Sequence, residues 1–230
     1  MTTERRDPAG AAELLIEALP YIRKFTGAVV VVKYGGNALA DQDEAEALAA
    51  FAEDIVLLQA VGLKPVVVHG GGPQIAALLS RIGIESEFRD GLRVTDAETL
   101  DVARMVLVGK VNSDIVAAIN VHGSLAVGLS GVDANLIRAD LRSEDLGFVG
   151  DVSSIDPTII ERLLSQGLVP VVATIGSDEA GQSYNINADT VAGAIAGALE
   201  ASKLVFLTDV AGLRAQPDDP SSVLAQVDVE

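Results

Sequence analysis

The chain has 230 residues, with 16 Lys and Arg against 33 Asp and Glu, and a formal net charge of −17. A 49% hydrophobic content excludes a disordered chain, the lack of cysteine excludes a disulfide scaffold, and no apolar run approaches the ~18–20 residues of a membrane helix. The charge argues against a sequence-independent nucleic-acid binder or an anionic membrane surface, yet leaves room for an anionic small molecule in a locally positive pocket.

Residues 1–10 are polar, and no cationic leader with an apolar core suggests a signal peptide. The spacing of Leu14, Leu15, Ala18, Leu19 and Ile22 predicts a helix over 11–25, kinked or broken at Pro20. Ala28–Val32 is β-branched without polar alternation and predicts a strand buried on both faces, running into Lys33-Tyr34-Gly35-Gly36-Asn37. Residues 41–59 read as an amphipathic helix. Asp41, Asp43, Glu44, Glu46, Glu53 and Asp54 form its solvated face, and Leu48, Phe51, Ile55 and Leu58 its apolar one. Pro65–His69 is a second buried strand, followed by Gly70-Gly71-Gly72-Pro73 and a helix over 74–82. Further helices are expected over 100–119, 157–166 and 189–201, and strands over 125–129, 168–173 and 203–207. This alternation, with glycines after strands, predicts an α/β fold: an open, mainly parallel sheet sandwiched between helices in three layers.

In such sheets, ligands bind beyond the carboxyl ends of the strands. An unpaired buried ammonium costs several kcal/mol, so Lys33 either reaches solvent or meets an anion. Gly35 and Gly36 then let backbone N–H groups approach a phosphate, although the lysine precedes the glycines, unlike a Walker A loop. Gly70, Gly71 and Gly72 form either a tight loop or an anion-binding concavity at a positive helix terminus. His69 reads as a group that orients this loop, not as a base. Arg93, just upstream of the cap candidates Thr95 and Asp96, suits bidentate contact with a carboxylate or a surface ion pair. Asn185 and Asn187 alternate, so on an extended segment they point the same way. Asp189 behind them either caps a helix or holds cationic side chains. Asp209-Val210-Ala211-Gly212-Leu213, after the last strand, suits a nucleotide or an ordinary connection. The sequence offers no Ser–His–Asp set, no His/carboxylate cluster for a transition metal and no GxGxxG after a strand.

Taken in order, VVVVKYGGNAL (29–39), KPVVVHGGGPQI (64–75), GLRVTD (91–96), GKVNSDIV (109–116), GLSGVDANLI (128–137), LGFVGDV (146–152), YNINADTVAGAIA (184–196) and LTDVAGL (207–213) span most of the chain. The set resembles the acetylglutamate kinases of the amino acid kinase family. The resemblance implies ATP-dependent phosphorylation of the side-chain carboxylate of N-acetyl-L-glutamate, a step of arginine biosynthesis. It implies that Lys33 stabilises the transferring phosphoryl group and that Asp189 orients catalytic lysine. Gly35, Gly36 and Gly70–Gly72 would cradle phosphate and substrate, Arg93 would pair with the α-carboxylate, Asn185 would bind substrate, and 209–213 would lie against the nucleotide. Mg²⁺ would be held by ATP phosphates and water, without a side-chain metal site.

The same resemblance divides the chain into an N-terminal kinked helix extension (1–25), an amino acid-binding lobe (26–178) and the start of a nucleotide-binding lobe (179–230). It implies a cytoplasmic homodimer or hexamer in which N-terminal helices interlace, with L-arginine as a feedback inhibitor bound near Tyr21. The family pattern continues beyond LTDVAGL with a glycine loop and a second catalytic lysine that Lys203 does not match. The 230-residue chain is therefore expected to bind acetylglutamate better than ATP and to turn over poorly. The alternatives are a non-catalytic acetylglutamate-binding sensor and a kinase for a related amino acid such as glutamate or aspartate.

Overall fold

In the computed structural model of the chain, the residues described are 8–35, 44–208, 210, 212–216, 219 and 221–228. In chain order, α1 (Pro8–Phe25) leads to β1 (Val29–Tyr34), α2 (Glu44–Ala60), β2 (Lys64–His69) and α3 (Gly72–Arg81). A short hairpin of β3 (Phe88–Arg89) and β4 (Leu92–Arg93) precedes α4 (Ala97–Arg104), which passes through a π-helical stretch, Met105–Val111, into α5 (Asn112–Asn120). Next come β5 (Ala126–Ser130), β6 (Ile137–Leu141), β7 (Val149–Ile155), α6 (Thr158–Ser165) and β8 (Val169–Ala173). The last elements are β9 (Ile175–Ser177), β10 (Ser183–Ile186), α7 (Ala188–Ala198) and β11 (Lys203–Leu207).

Five strands form one parallel sheet in the order β11-β1-β2-β8-β5. Its unbroken valine runs follow from burial of both faces. Val30, Val32, Val67 and Val171 pack against α2, α3, α4, the π stretch and α5. Val31, Val66, Val68 and Val172 pack against α6, α7 and β6. Each fully buried valine contributes about 1.5–3 kcal/mol relative to exposure. The three-layer α/β architecture is the one the strand–helix alternation predicts.

Three local features depart from the sequence expectation. Pro20 does not end α1, which runs as one helix from Pro8 to Phe25. A single missing N–H leaves the rest of the helical ladder intact. The helix expected over 100–119 contains the π stretch. Within 137–186, β6, β7, β9 and β10 leave the parallel sheet and form a closed four-stranded ring, β10-β7-β6-β9, while α6 and β8 continue the alternation. The sequence conceals the ring because its strands are short, β6 and β7 slip register at Arg138/Ala139, and glycine replaces bulk at the tightest contacts. A Cβ on Gly150 would lie 2.7 Å from Tyr184 Cβ, and one on Gly176 would lie 2.7 Å from Ile186 Cδ1.

Candidate active site

The carboxyl ends of β1, β2 and β8 and the N-termini of α3 and α7 surround a cavity of about 300 Å³. Lys33, near the end of β1, lines it with its side chain 15% exposed, and Lys33 Nζ lies 3.0 Å from Asp189 Oδ1. Asp189 is in the first turn of α7. The N-cap of that helix is Asn187, whose Oδ1 accepts from the N–H groups of Asp189 (2.9 Å) and Thr190 (3.0 Å). The two readings of Asp189 are thereby separated: Asn187 caps the helix, and the Asp189 carboxylate holds the lysine. A partly exposed ion pair of this kind adds little stability, so its significance is positional. Gly35 makes room for the lysine, since a Cβ there would lie 2.9 Å from Lys33 Nζ and 3.0 Å from the Leu207 carbonyl oxygen.

The Gly70–Gly72 loop lines the cavity and opens α3. Gly71 is the N-cap and no side chain caps the helix, so the glycine amides form its N-terminal, positively polarised end. His69 lies fully buried beneath the loop, with Nδ1 2.9 Å from the Gly70 carbonyl oxygen and Nε2 3.0 Å from Asn112 Nδ2. Burial lowers its pKa to about 4, against an opposing pull from the Gly70 hydrogen bond. The ring is neutral near pH 7 and is not among the residues lining the cavity.

Arg93 is buried at the base of the β3–β4 hairpin. It donates to the Gly72 carbonyl at 2.9 Å and to Ser86 Oγ, and stacks 4.6 Å from the Phe88 ring centroid. Among the described residues it makes no ion pair, so the surface-pair reading fails. Burial lowers its pKa, but a guanidinium stays charged. Two donated bonds leave further N–H groups for a carboxylate in the cavity that Arg93 lines. Thr95 joins Arg93 to Asn185: its hydroxyl donates to the Arg93 carbonyl at 2.8 Å and accepts from Asn185 Nδ2 at 3.4 Å. Asp96, not Thr95, caps α4 by accepting from Thr99 N–H at 2.8 Å, and hydrogen bonds from the Thr99 hydroxyl and N–H lower its pKa.

The structure thus brings Lys33, Gly35, Gly70, Gly71, Gly72, Arg93, Asn185 and Asp189 to one cavity. Sequence reasoning assigned no site role to Phe88, Thr174 or Thr208, which also line it. Asn187 lines it as well, as its alternation with Asn185 suggested. Gly36, Asp209 and Ala211 lie outside the described residues. Val210, Gly212 and Leu213 follow the carboxyl end of β11 but are not among the residues lining the cavity, and Tyr21 stands 67% exposed on α1. Among the described lining residues, two cations face one carboxylate, a locally positive site in a chain of charge −17.

The model of the amino acid kinase family matches residues 28–230. An acetylglutamate kinase of Symbiobacterium thermophilum is 56% identical over 225 residues, covering 94% of this chain and 76% of the relative. One from Jannaschia is 52% identical over 229 residues, covering 100% of this chain and 79% of the relative. Among solved structures, the N-acetylglutamate synthase of Neisseria gonorrhoeae, complexed with coenzyme A and N-acetyl-glutamate, superposes with a TM-score of 0.77. It is 27% identical, and the match covers 94% of this chain and 48% of the synthase. The chain belongs to the amino acid kinase family, alongside the acetylglutamate kinases.

Proposed function

We propose that the chain transfers the γ-phosphoryl group of ATP to the side-chain carboxylate of N-acetyl-L-glutamate, giving N-acetyl-L-glutamyl 5-phosphate and ADP. The observation that carries this is the Lys33–Asp189 pair set with Gly35 and the Gly70–Gly72 loop in a cavity that also holds Arg93. A carboxylate oxygen attacks the γ-phosphorus as the bond to the β,γ-bridging oxygen breaks. The attacking group is already ionised, so no proton has to be removed, which agrees with a neutral His69 that does not line the cavity. Catalysis then rests on alignment and charge stabilisation. Lys33 neutralises charge on the transferring group while Asp189 holds its ammonium in place. The glycine-turn amides donate to phosphoryl oxygens, Arg93 takes the α-carboxylate, and Asn185 contributes an amide to the substrate. With Asp189 as the one carboxylate among the described lining residues, the cavity suits Mg²⁺ carried by phosphates and water and not by a side-chain cage. The ion screens the phosphate charge when bound.

Residues 26–178 serve as the acid-binding lobe and 179–230 begin the nucleotide lobe, with 209–213 against the nucleotide. Lys203 stands at the amino end of β11, the end opposite the cavity, and takes no part in the transfer. We assign the protein to the cytoplasm, where ATP is available; no helix of the described residues is long and apolar enough to cross a membrane. Helix α1 joins copies of the chain into a dimer or hexamer, with L-arginine binding near Tyr21.

Measuring ADP release with N-acetylglutamate, glutamate and aspartate tests the reaction. Preference for a non-acetylated acid would overturn the substrate assignment. A second reading, an acetylglutamate-binding module without turnover, draws support from the superposition on part of an acetylglutamate synthase. Lys33→Ala separates the two. The kinase reading predicts a fall in kcat of about 10²–10³-fold. The sensor reading predicts no turnover in either protein and unchanged thermal stabilisation by acetylglutamate.

A further inference from the structure

The peptide between Gly70 and Gly71 has no side chain on either flank, so its plane is free to flip unless something holds it. In a planar trans peptide, the Gly70 carbonyl and the Gly71 N–H point in opposite directions. One orientation offers an anion a donor; the other puts a carbonyl oxygen in its path. We propose that His69 and Asn112 are positioning residues that fix this peptide, aiming the Gly71 N–H into the cavity.

The hydrogen-bond chain leaves one consistent protonation pattern. Asn112 Nδ2 lies 2.9 Å from the Val171 carbonyl oxygen and 3.0 Å from His69 Nε2. Reversing the Asn112 amide would set two carbonyl oxygens against each other, so Nδ2 is the donor to both. His69 Nε2 must then accept, which leaves the proton on Nδ1, where it is donated to the Gly70 carbonyl at 2.9 Å. The ring stays in this neutral tautomer because burial holds its pKa near 4.

Three further contacts show that the arrangement is built in. Asn112 is the first residue beyond the π stretch and is itself buried. Gly128 on β5 leaves the space that Asn112 fills: a Cβ there would lie 2.0 Å from Asn112 Oδ1. Gly71 rests on the π stretch, where a Cβ would meet Leu107 Cδ2 at 2.8 Å and Val111 Cγ2 at 3.1 Å. The carbonyl side of the peptide is therefore anchored to the helical layer, and its N–H side is left to the ligand. On the proposed kinase reading, on which this inference rests, that N–H donates to an oxygen of the transferring phosphoryl group.

Asparagine places an amide N–H where His Nδ1 sits, whereas glutamine places its amide near Nε2. His69→Asn should keep kcat within about fivefold of the parent, while His69→Gln and Asn112→Leu lower it by about 30-fold or more with the KM for acetylglutamate within about threefold. Ring ¹⁵N shifts of the unmodified chain at pH 7 should report the Nδ1–H tautomer. An Nε2–H tautomer, full activity in His69→Gln, or equal losses in His69→Asn and His69→Gln would overturn the proposal. Absence of phosphoryl transfer in the parent chain would defeat the kinase reading instead. The positioning role is then read from the Gly71 amide resonance on titration with Mg²⁺ and the β,γ-imido analogue of ATP, which keeps a γ-phosphoryl group. A shift in the parent and His69→Asn but not in His69→Gln supports it; no shift in the parent overturns it.

Discussion

His69 shows how one residue's environment sets both its chemistry and its energetic signature. An unperturbed histidine titrates near pH 6.5, and burial brings this one down to about 4. Below pH 6.5 the unfolded chain takes up a proton that the folded chain refuses. The stabilisation from burying a neutral ring is therefore complete above pH 6.5 and is lost as pH falls toward 4. The full loss is about 3.5 kcal/mol, from roughly 2.5 pKa units at about 1.4 kcal/mol each. The carboxylates of Asp96, Asp156, Asp178 and Asp219, all lowered chiefly by hydrogen bonds, lose their contribution at lower pH, as they titrate through and below the ordinary aspartate range. The two windows separate. Urea unfolding at pH 7 and pH 4.5 should show a marked loss of stability for the parent chain and a much smaller one for His69→Gln. Equal losses would mean that the ring is protonated or solvated in the folded state.

At the scale of elements, legibility tracked the regularity of burial. The strands β1, β2 and β8 were readable because both faces of a central parallel strand are covered, leaving continuous apolar runs, whereas β11, at the edge of the sheet and partly exposed, was readable from its short apolar run alone. Helix α2 was readable because Phe51 and Ile55 face the core while Glu46, Glu53 and Asp54 face water. The four-stranded ring was not, because glycines and mixed polar residues blur any period of two. The same contrast holds in the site. The glycine turns, Lys33, Arg93, Asn185 and Asp189 stood at strand ends where ligands bind. The partners that aim them come from far along the chain: Asn112 lies 43 residues from His69, and Thr95 lies 90 from Asn185. No local pattern records such pairings.

The π stretch left a trace that a stricter count finds. Buried Leu107, Val111, Ile115 and Ile119 recur every four residues, slower than the 3.6 of an α-helix. A stripe of that period drifts around an ordinary helix unless a wider turn takes up the difference. Gly109, in that turn, has open space where a Cβ would project. Deleting it restores an α-helical register but turns Asn112 by about 100° relative to Leu107, so both cannot keep their buried partners. The expected cost is about 2–4 kcal/mol in denaturant unfolding, together with loss of the His69 Nδ1–H signature. Gly109→Ala, which keeps the register, should cost far less. Equal stability of the deletion and parent chains would show that the wide turn is incidental.

At the scale of the whole molecule, two facts pull in opposite directions. A charge of −17 on each chain makes copies repel at long range. Yet α1 presents Leu14, Leu15, Ile16, Leu19 and Tyr21 to solvent, and among its described side chains only Ala18, Ile22 and Phe25 are half-buried. An isolated helix of 18 residues is marginal in water and gains most of its stability by burying an apolar face. The α1 helix of a second copy offers such a face, and its packing works against a repulsion that salt screens over about 8 Å at physiological ionic strength. Assembly should therefore strengthen between about 10 mM and 150 mM salt. Removing residues 1–25 should reduce the assembled mass in light scattering and abolish any inhibition by arginine. Acetylglutamate binding by calorimetry should persist, because α1 contributes no residue to the cavity lining. A shortened chain with the parent's mass and arginine response would place the assembly contacts elsewhere and leave α1 without this role.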